Sequence, residues 1–188
     1  MMYPNEILRE TAEPVDGVGE EEQELAALME NTLRKLEAAG LSAPQVGVSK
    51  RLVVVKLARR SRVGLAPDYE VVAMVNPEIS QCEGTSTAVE GCLSLPRGEE
   101  IEVTRCQSIS VRYMTLEGQE ALLEETGLNA RQIQHEIDHL DGILVIDYAK
   151  RFNFNSKLVA ATGVYVLALA VAVGLYTRRI FKDQKRAS

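Results

Sequence analysis

The sequence predicts an α+β fold built on antiparallel sheets, and three observations carry that expectation. Short β-branched runs cluster in the middle of the chain, amphipathic helical patterns stand on either side, and no regular strand–helix alternation of the parallel kind occurs. At 188 residues, 46% hydrophobic and 26% charged, the chain suits one globular domain with a sizeable core plus an appendage, and it is not disordered.

Residues 20–39 carry Leu25, Leu28, Met29, Leu33 and Leu36 at helical spacing, with Gly40 as the expected stop. The acidic start, Glu20–Glu22 and Glu24, reads as a solvated first turn near the positive end of the helix dipole. The period then changes to that of strands: "RLVVVKL" (51–57), "EVVAMVNP" (70–77), "IEVTRC" (101–106) and "SISVRYM" (108–114). "LEGQ" (116–119) reads as a hairpin turn into "EALLEE". A second helix is expected from an N-cap at Asn129, with Gln132 three residues on, to Gly142.

Charge divides the chain. Residues 1–149 hold 13 Lys/Arg against 26 Asp/Glu, whereas residues 150–188 hold 8 against 1. An acidic body of this kind is not expected to bind DNA directly, and it carries a basic tail. Three cysteines make no disulfide framework; Cys82 and Cys106 read as small buried hydrophobes. No signal peptide is visible in "MMYPNEILRE", so the body is expected to be cytoplasmic.

The tail contains "KLVAATGVYVLALAVAVGLYTRR", in which residues 158–176 run nineteen positions without a charge. That is close to the roughly 20 residues that span a bilayer core. The division expected is a body at 1–150, a basic linker at 151–157, a transmembrane helix at 158–177 and a basic tail at 178–188. A helix buried in the protein or in a dimer interface is the alternative. Five basic residues follow the span and three precede it, which favours a cytoplasmic C-terminus and conflicts with a cytoplasmic body. Either the body dictates orientation or the helix does not fully cross.

Both histidines of the chain fall in "ARQIQHEIDHLDG" (130–142). Four residues apart on a helix, His135 and His139 differ by about 40° and one turn, so both rings face one point. Ile133, Ile137 and Leu140 form a separate stripe for a core. Glu136 sits at the edge of the histidine face, able to reach a water without ligating, as in H-E-x-x-H sites. Two adjacent helix histidines can also be coincidence, so a third ligand is needed. Asp147 is a poor candidate because Gly142 ends the helix before it. Cys92, in "VEGCLSLP" (89–96), is the better one, since thiolate and two imidazoles suit zinc or ferrous iron and leave a fourth position open.

Three strings resemble, in order and spacing, the signature motifs of peptide deformylases: "AAGLSAPQ" (38–45), "EGCLSLP" (90–96) and "QHEIDHLDG" (134–142). The opening "PNEILRETAEPV" is similar to that family's too, and the resemblance spans roughly residues 3–150. It implies antiparallel sheets around a central helix carrying the H-E-x-x-H residues. It implies a hydrolase of protein biosynthesis that removes the formyl group from N-formylmethionyl nascent peptides and releases formate. It implies one divalent metal on Cys92, His135 and His139, typically Fe²⁺ and replaceable by zinc, nickel or cobalt. Glu136 is then the proton carrier, and Gln45 and the Leu93 N–H stabilise the oxyanion. Gly40 and Leu41 lie along the substrate, with Ala39, Ala88 and Leu128 near the methionine pocket. Docking of a basic C-terminal helix on the ribosome is a further implication. Ala38 and Ser42 depart from the family's usual Gly and Ala. Ala38 is tolerable where φ stays below zero.

Two rivals stand beside this reading. An H-E-x-x-H protease leaves "EGCLSLP" and "GLSAPQ" unexplained. An inactive deformylase-like module binding membrane or ribosome has no reason to keep a general base.

Overall fold

In the computed structural model, which describes residues 1–59, 68–96 and 100–149, a five-stranded antiparallel sheet carries two α-helices. The elements are α1 (Glu20–Leu36), β1 (Gly40–Ser42), β2 (Leu52–Arg59), β3 (Asp68–Glu90), β4 (Ile101–Met114), β5 (Glu120–Thr126) and α2 (Gly127–Leu140). Sheet order follows chain order, β1-β2-β3-β4-β5. The α+β expectation holds, with one sheet where several were expected.

β2 is apolar at every position from Leu52 to Val55 because it is covered on both faces. Val53, Val55 and Leu57 pack with Ala130, Ile133, Ile137 and Leu140 of α2. Leu52 and Val54 pack with Leu25, Ala26, Met29 and Leu33 of α1. The expected stripe on α2 is thus buried, and its other edge is free for chemistry.

Several local expectations are corrected by tertiary partners. The segments 101–106 and 108–114 are one strand, paired with β3 along its length. β1 and the polar, largely exposed second half of β3 gave no periodic signal. α1 stops at Leu36, where Glu37 turns left-handed at φ 53°, not at Gly40. α2 begins after Thr126, not Asn129; Gly127, at φ 57°, lets β5 turn directly into the helix. The Asn129 side chain is taken instead by Ala58 N (2.9 Å), Ala58 O (3.0 Å) and Glu125 (2.8 Å). Cys82 and Cys106 are not buried hydrophobes. Cys82 is exposed, and adjacent strands bring the two together at a Cα–Cα distance of 5.5 Å, where they form a disulfide.

Among the described residues no helix is long and apolar enough to cross a membrane. The expected linker 151–157, apolar helix 158–177 and basic tail 178–188 lie outside the described residues.

Asn76 ties the N-terminal segment to β3. At φ 50° it sits in the left-handed region, accepting from Val15 N at 2.9 Å and donating to Val15 O at 2.7 Å. Loss of two hydrogen bonds at about 1 kcal/mol each, plus about 1 kcal/mol of strain, should make Asn76→Ala about 3 kcal/mol less stable in urea unfolding. Asn76→Gly, freed of the strain, should lose less.

Candidate metal centre

α2 and the turn after β3 build the site. The rings of His135 and His139 stand edge to face, centroids 5.1 Å apart. Cys92 follows the end of β3, its sulfur 3.2 Å from His139 Nε2 and receiving the Ser94 N–H at 3.4 Å. Donor atoms of Cys92, His135 and His139 all lie within 4.8 Å of one another. Around a tetrahedral ion with bonds of about 2.0–2.3 Å, donors stand roughly 3.5 Å apart. A soft sulfur, two imidazole nitrogens and this spacing fit one divalent ion.

Glu90, the first residue of "EGCLSLP" and without a role in that motif, holds this arrangement. Its carboxylate accepts from Arg105 Nε (2.6 Å) and Nη2 (2.9 Å), Arg131 Nη1 (2.6 Å) and His135 Nδ1 (2.9 Å). Nδ1 must therefore donate, which leaves His135 Nε2 free for an ion, as a carboxylate behind a metal-binding histidine commonly does. Arg105 also binds Asp138 at 2.8 Å, and Tyr148 donates to the same carboxylate oxygen at 2.9 Å. The available signal was position: an acidic residue two before a ligand, ending a strand.

Burial pushes Glu90 upward, but hydrogen bonds from His135, Arg105 and Arg131 outweigh it and hold the carboxyl at about 2. Burial lowers His135, yet Cys92 and Glu90 lift it to about 10. Burial, with the charges of His135 and Arg105, takes His139 down to about 3.

Glu136 is not among the three clustered donors. Burial raises it to about 7 against the pull of His135 and Arg105, and its Oε2 has no hydrogen-bond partner. Gly40 makes room for it, since a Cβ there would stand 2.4 Å from Glu136 Oε1. Gly40 is thus not a helix stop; a side chain would displace the carboxylate.

Gln45 lies in the 3₁₀ turn Ala43–Val46. Its Oε1 accepts from Ser42 N at 2.9 Å and Ser42 Oγ at 3.1 Å, so its Nε2 faces Ser94 Oγ (3.3 Å) and Cys92 Sγ (3.8 Å). Ser42 thus adds a bond that alanine would lack. Ala38 keeps φ out of the left-handed region, since among the described residues Glu37 and Asn76 are the non-glycine ones there, so it introduces no strain.

These groups open on a cavity of about 480 Å³, lined also by Ala39, Leu93 and Leu128. Of the residues expected along the substrate, Gly40 lines this cavity, Leu41 is buried in the core beside β2, and Val89 rather than Ala88 is in the lining.

An α+β fold with H-E-x-x-H on a buried helix, a cysteine from a neighbouring turn and a free carboxylate between them defines the class of one-metal hydrolases. The chain belongs to the polypeptide deformylase family, whose model matches residues 1–155. It is 42% identical to a peptide deformylase of Thermodesulfovibrio yellowstonii over 145 residues, covering 77% of this chain and 84% of that one. A peptide deformylase of Desulforudis audaxviator is 41% identical over 150 residues, covering 79% and 91%. Among solved structures, the peptide deformylase of Thermotoga maritima superposes with a TM-score of 0.68 at 37% identity, covering 79% and 95%. The Met-Ala-Ser-bound class I type b peptide deformylase of Acinetobacter baumannii gives 0.70 at 34%, covering 78% and 94%.

Glu90→Ala should cost about 3–5 kcal/mol in denaturant unfolding, because it strands two buried arginines. Since the folded carboxyl titrates below its ordinary value, its contribution is complete above pH about 4.5 and is lost as pH falls through about 2. Glu90→Gln should lack that part of the acid dependence when unfolding is measured across the same window.

Proposed function

We propose that this chain removes the formyl group from N-formylmethionyl nascent peptides and releases formate. The observation that carries the reading is Glu136: a buried carboxyl outside the ligand cluster, its Oε2 without a hydrogen-bond partner, lining the same cavity as Gln45 and Cys92. A carboxyl held there without a competing partner is placed to take a proton in one step and give it back in the next.

Cys92, His135 and His139 would hold one divalent ion, Fe²⁺ with zinc, nickel or cobalt as substitutes. Such an ion supplies Lewis acidity toward the formyl oxygen and the attacking water. Glu136 accepts the proton of that water as its oxygen bonds to the formyl carbon. When the C–N bond breaks, Glu136 returns the proton to the leaving nitrogen. Gln45 Nε2 and the Leu93 N–H donate to the oxyanion that develops between the two steps, an interaction worth a few kcal/mol in such sites. Ala39, Gly40 and Leu128 line the path of the peptide.

The body, residues 1–150, acts in the cytoplasm, where nascent chains emerge. The uncharged run 158–177, between the basic linker 151–157 and the basic tail 178–188, anchors it to a membrane. The same basic residues offer a surface to the ribosome.

Formate release from a formyl-Met peptide, with metal loaded anaerobically, tests the activity. Glu136→Ala should keep its metal and lose on the order of 10²–10⁴ in turnover; near-normal turnover would exclude the role. Cys92→Ala should lose most of its metal by elemental analysis, and unchanged content would show the ligand set to be wrong. For the tail, the full chain should fractionate with membranes, whereas a version ending at Ser156 should not. Equal recovery of both in the soluble fraction would end the anchor reading.

A further inference from the structure

Cys82 and Cys106 have no part in the metal centre, and their disulfide joins two positions that are held very differently. Cys106 is fixed. Its N–H donates to Gln134 Oε1 at 2.9 Å, and its carbonyl accepts from Gln134 Nε2 at 3.0 Å. Gln134 is a buried residue of α2, directly before His135. Arg105, directly before Cys106, is bonded to Glu90 and Asp138.

Cys82 stands on a looser length of chain. From Glu78 to Val89 no residue of β3 is fully buried, so little apolar contact grips it. It is held by its ladder to β4, by Thr87 against Thr104 at 2.8 Å and by Arg131 on the Ser86 carbonyl at 2.6 Å. The disulfide ties it covalently to the residue that α2 holds. This strand ends in Glu90, and Cys92 follows two residues later. What steadies the strand therefore steadies a ligand and the carboxylate behind His135.

In the cytoplasm, where the body is proposed to act, thiols keep cysteines reduced, and the disulfides found there are usually transient and catalytic or redox-sensing. Cys82 is exposed, so a thiolate can reach it from solvent. We infer that Cys82 and Cys106 form a reversible redox site, opened by thiol reductants and closed by disulfides. Its closed form fastens the strand carrying Glu90 to the helix carrying the histidines, and so slows loss of the divalent ion. The inference rests on the metal reading of Cys92, His135 and His139.

In opening, one thiolate attacks the Cys82 sulfur; the S–S bond breaks and Cys106 leaves, taking a proton. A second thiolate attacks the reductant's sulfur in that mixed disulfide, and Cys82 leaves in turn with a proton. Two thiols thus give up two electrons and two protons and become one disulfide. Closing is the reverse, with a small disulfide as the oxidant.

The experiment uses the full-length protein loaded with zinc, which has no redox chemistry of its own. It is equilibrated under nitrogen with glutathione mixtures running from excess thiol to excess disulfide. Free thiols counted after denaturation should pass from three per chain to one, Cys92 alone. Zinc should pass to a chromogenic chelator roughly tenfold more slowly from the closed form, the scale on which support behind a ligand alters metal binding. The closed form should also melt on the order of 10 °C higher, since the bond closes a segment whose ends are 24 residues apart. Cys82→Ser should release zinc at the rate of the open form in every mixture. Three thiols in every mixture, or one in every mixture, would overturn the inference. So would equal zinc release from the two forms, even with a shift in melting. Zinc release from Cys82→Ser that still followed the mixture would also overturn it, by placing the sensitivity at Cys92. Should Cys82→Ser not fold, the two wild-type forms decide the matter by themselves. A chain that binds no zinc in either form would overturn the metal reading and this inference with it, a result distinct from bound zinc leaving at one rate.

Discussion

The Glu90 carboxylate is the point on which the site depends. It ends β3, two residues before Cys92, and it is bonded to Arg105 of β4 and to Arg131 and His135 of α2. One buried group thereby fixes two strands and the helix that carries both histidines. Its stabilising value is not self-evident, because taking one carboxylate and two guanidiniums out of water is costly, and attraction must offset that. What the network secures is orientation. His135 can turn only one nitrogen toward Cys92 while Glu90 holds the other.

The helix could not take that position without a sheet to bury its opposite stripe. Ile133, Ile137 and Leu140 enter the core with Val53 and Val55, so the histidine face is held by packing. Gly40 completes the arrangement from β1. The backbone there comes so close to Glu136 that a methyl group would occupy the carboxylate's space. Close approach, not left-handed geometry, is what requires glycine at that position.

Around this frame the cleft separates two kinds of group. Cys92, His135 and His139 converge as a donor set that could hold a metal ion, whereas Glu136 and Gln45 add a carboxyl and an amide to the same cavity. Ser42 fixes the Gln45 amide by giving both of its donors to Oε1, so the N–H end meets the centre. The departure from alanine at this position supports the geometry of the site.

Much of this was legible in the sequence because it is local. The spacing of His135 and His139 sets two rings on one helical face wherever that helix lies, and β-branched runs report strands through the same short-range sterics. The cysteine was legible through its motif. Other features needed partners distant in the chain. Asn129 reads as a cap but is claimed by Ala58 across 71 residues, and Cys82 and Cys106 read as core until β3 and β4 lie side by side. Glu90 reads as any strand-ending glutamate until two arginines and a histidine arrive from elsewhere. The sequence by itself determined the type of most elements and set both histidines on one helical face, because backbone preference and helical period act over a few residues. Only the tertiary structure decided which polar groups are paired and which glycine makes room. Those follow from burial and long-range contact, which no single segment encodes.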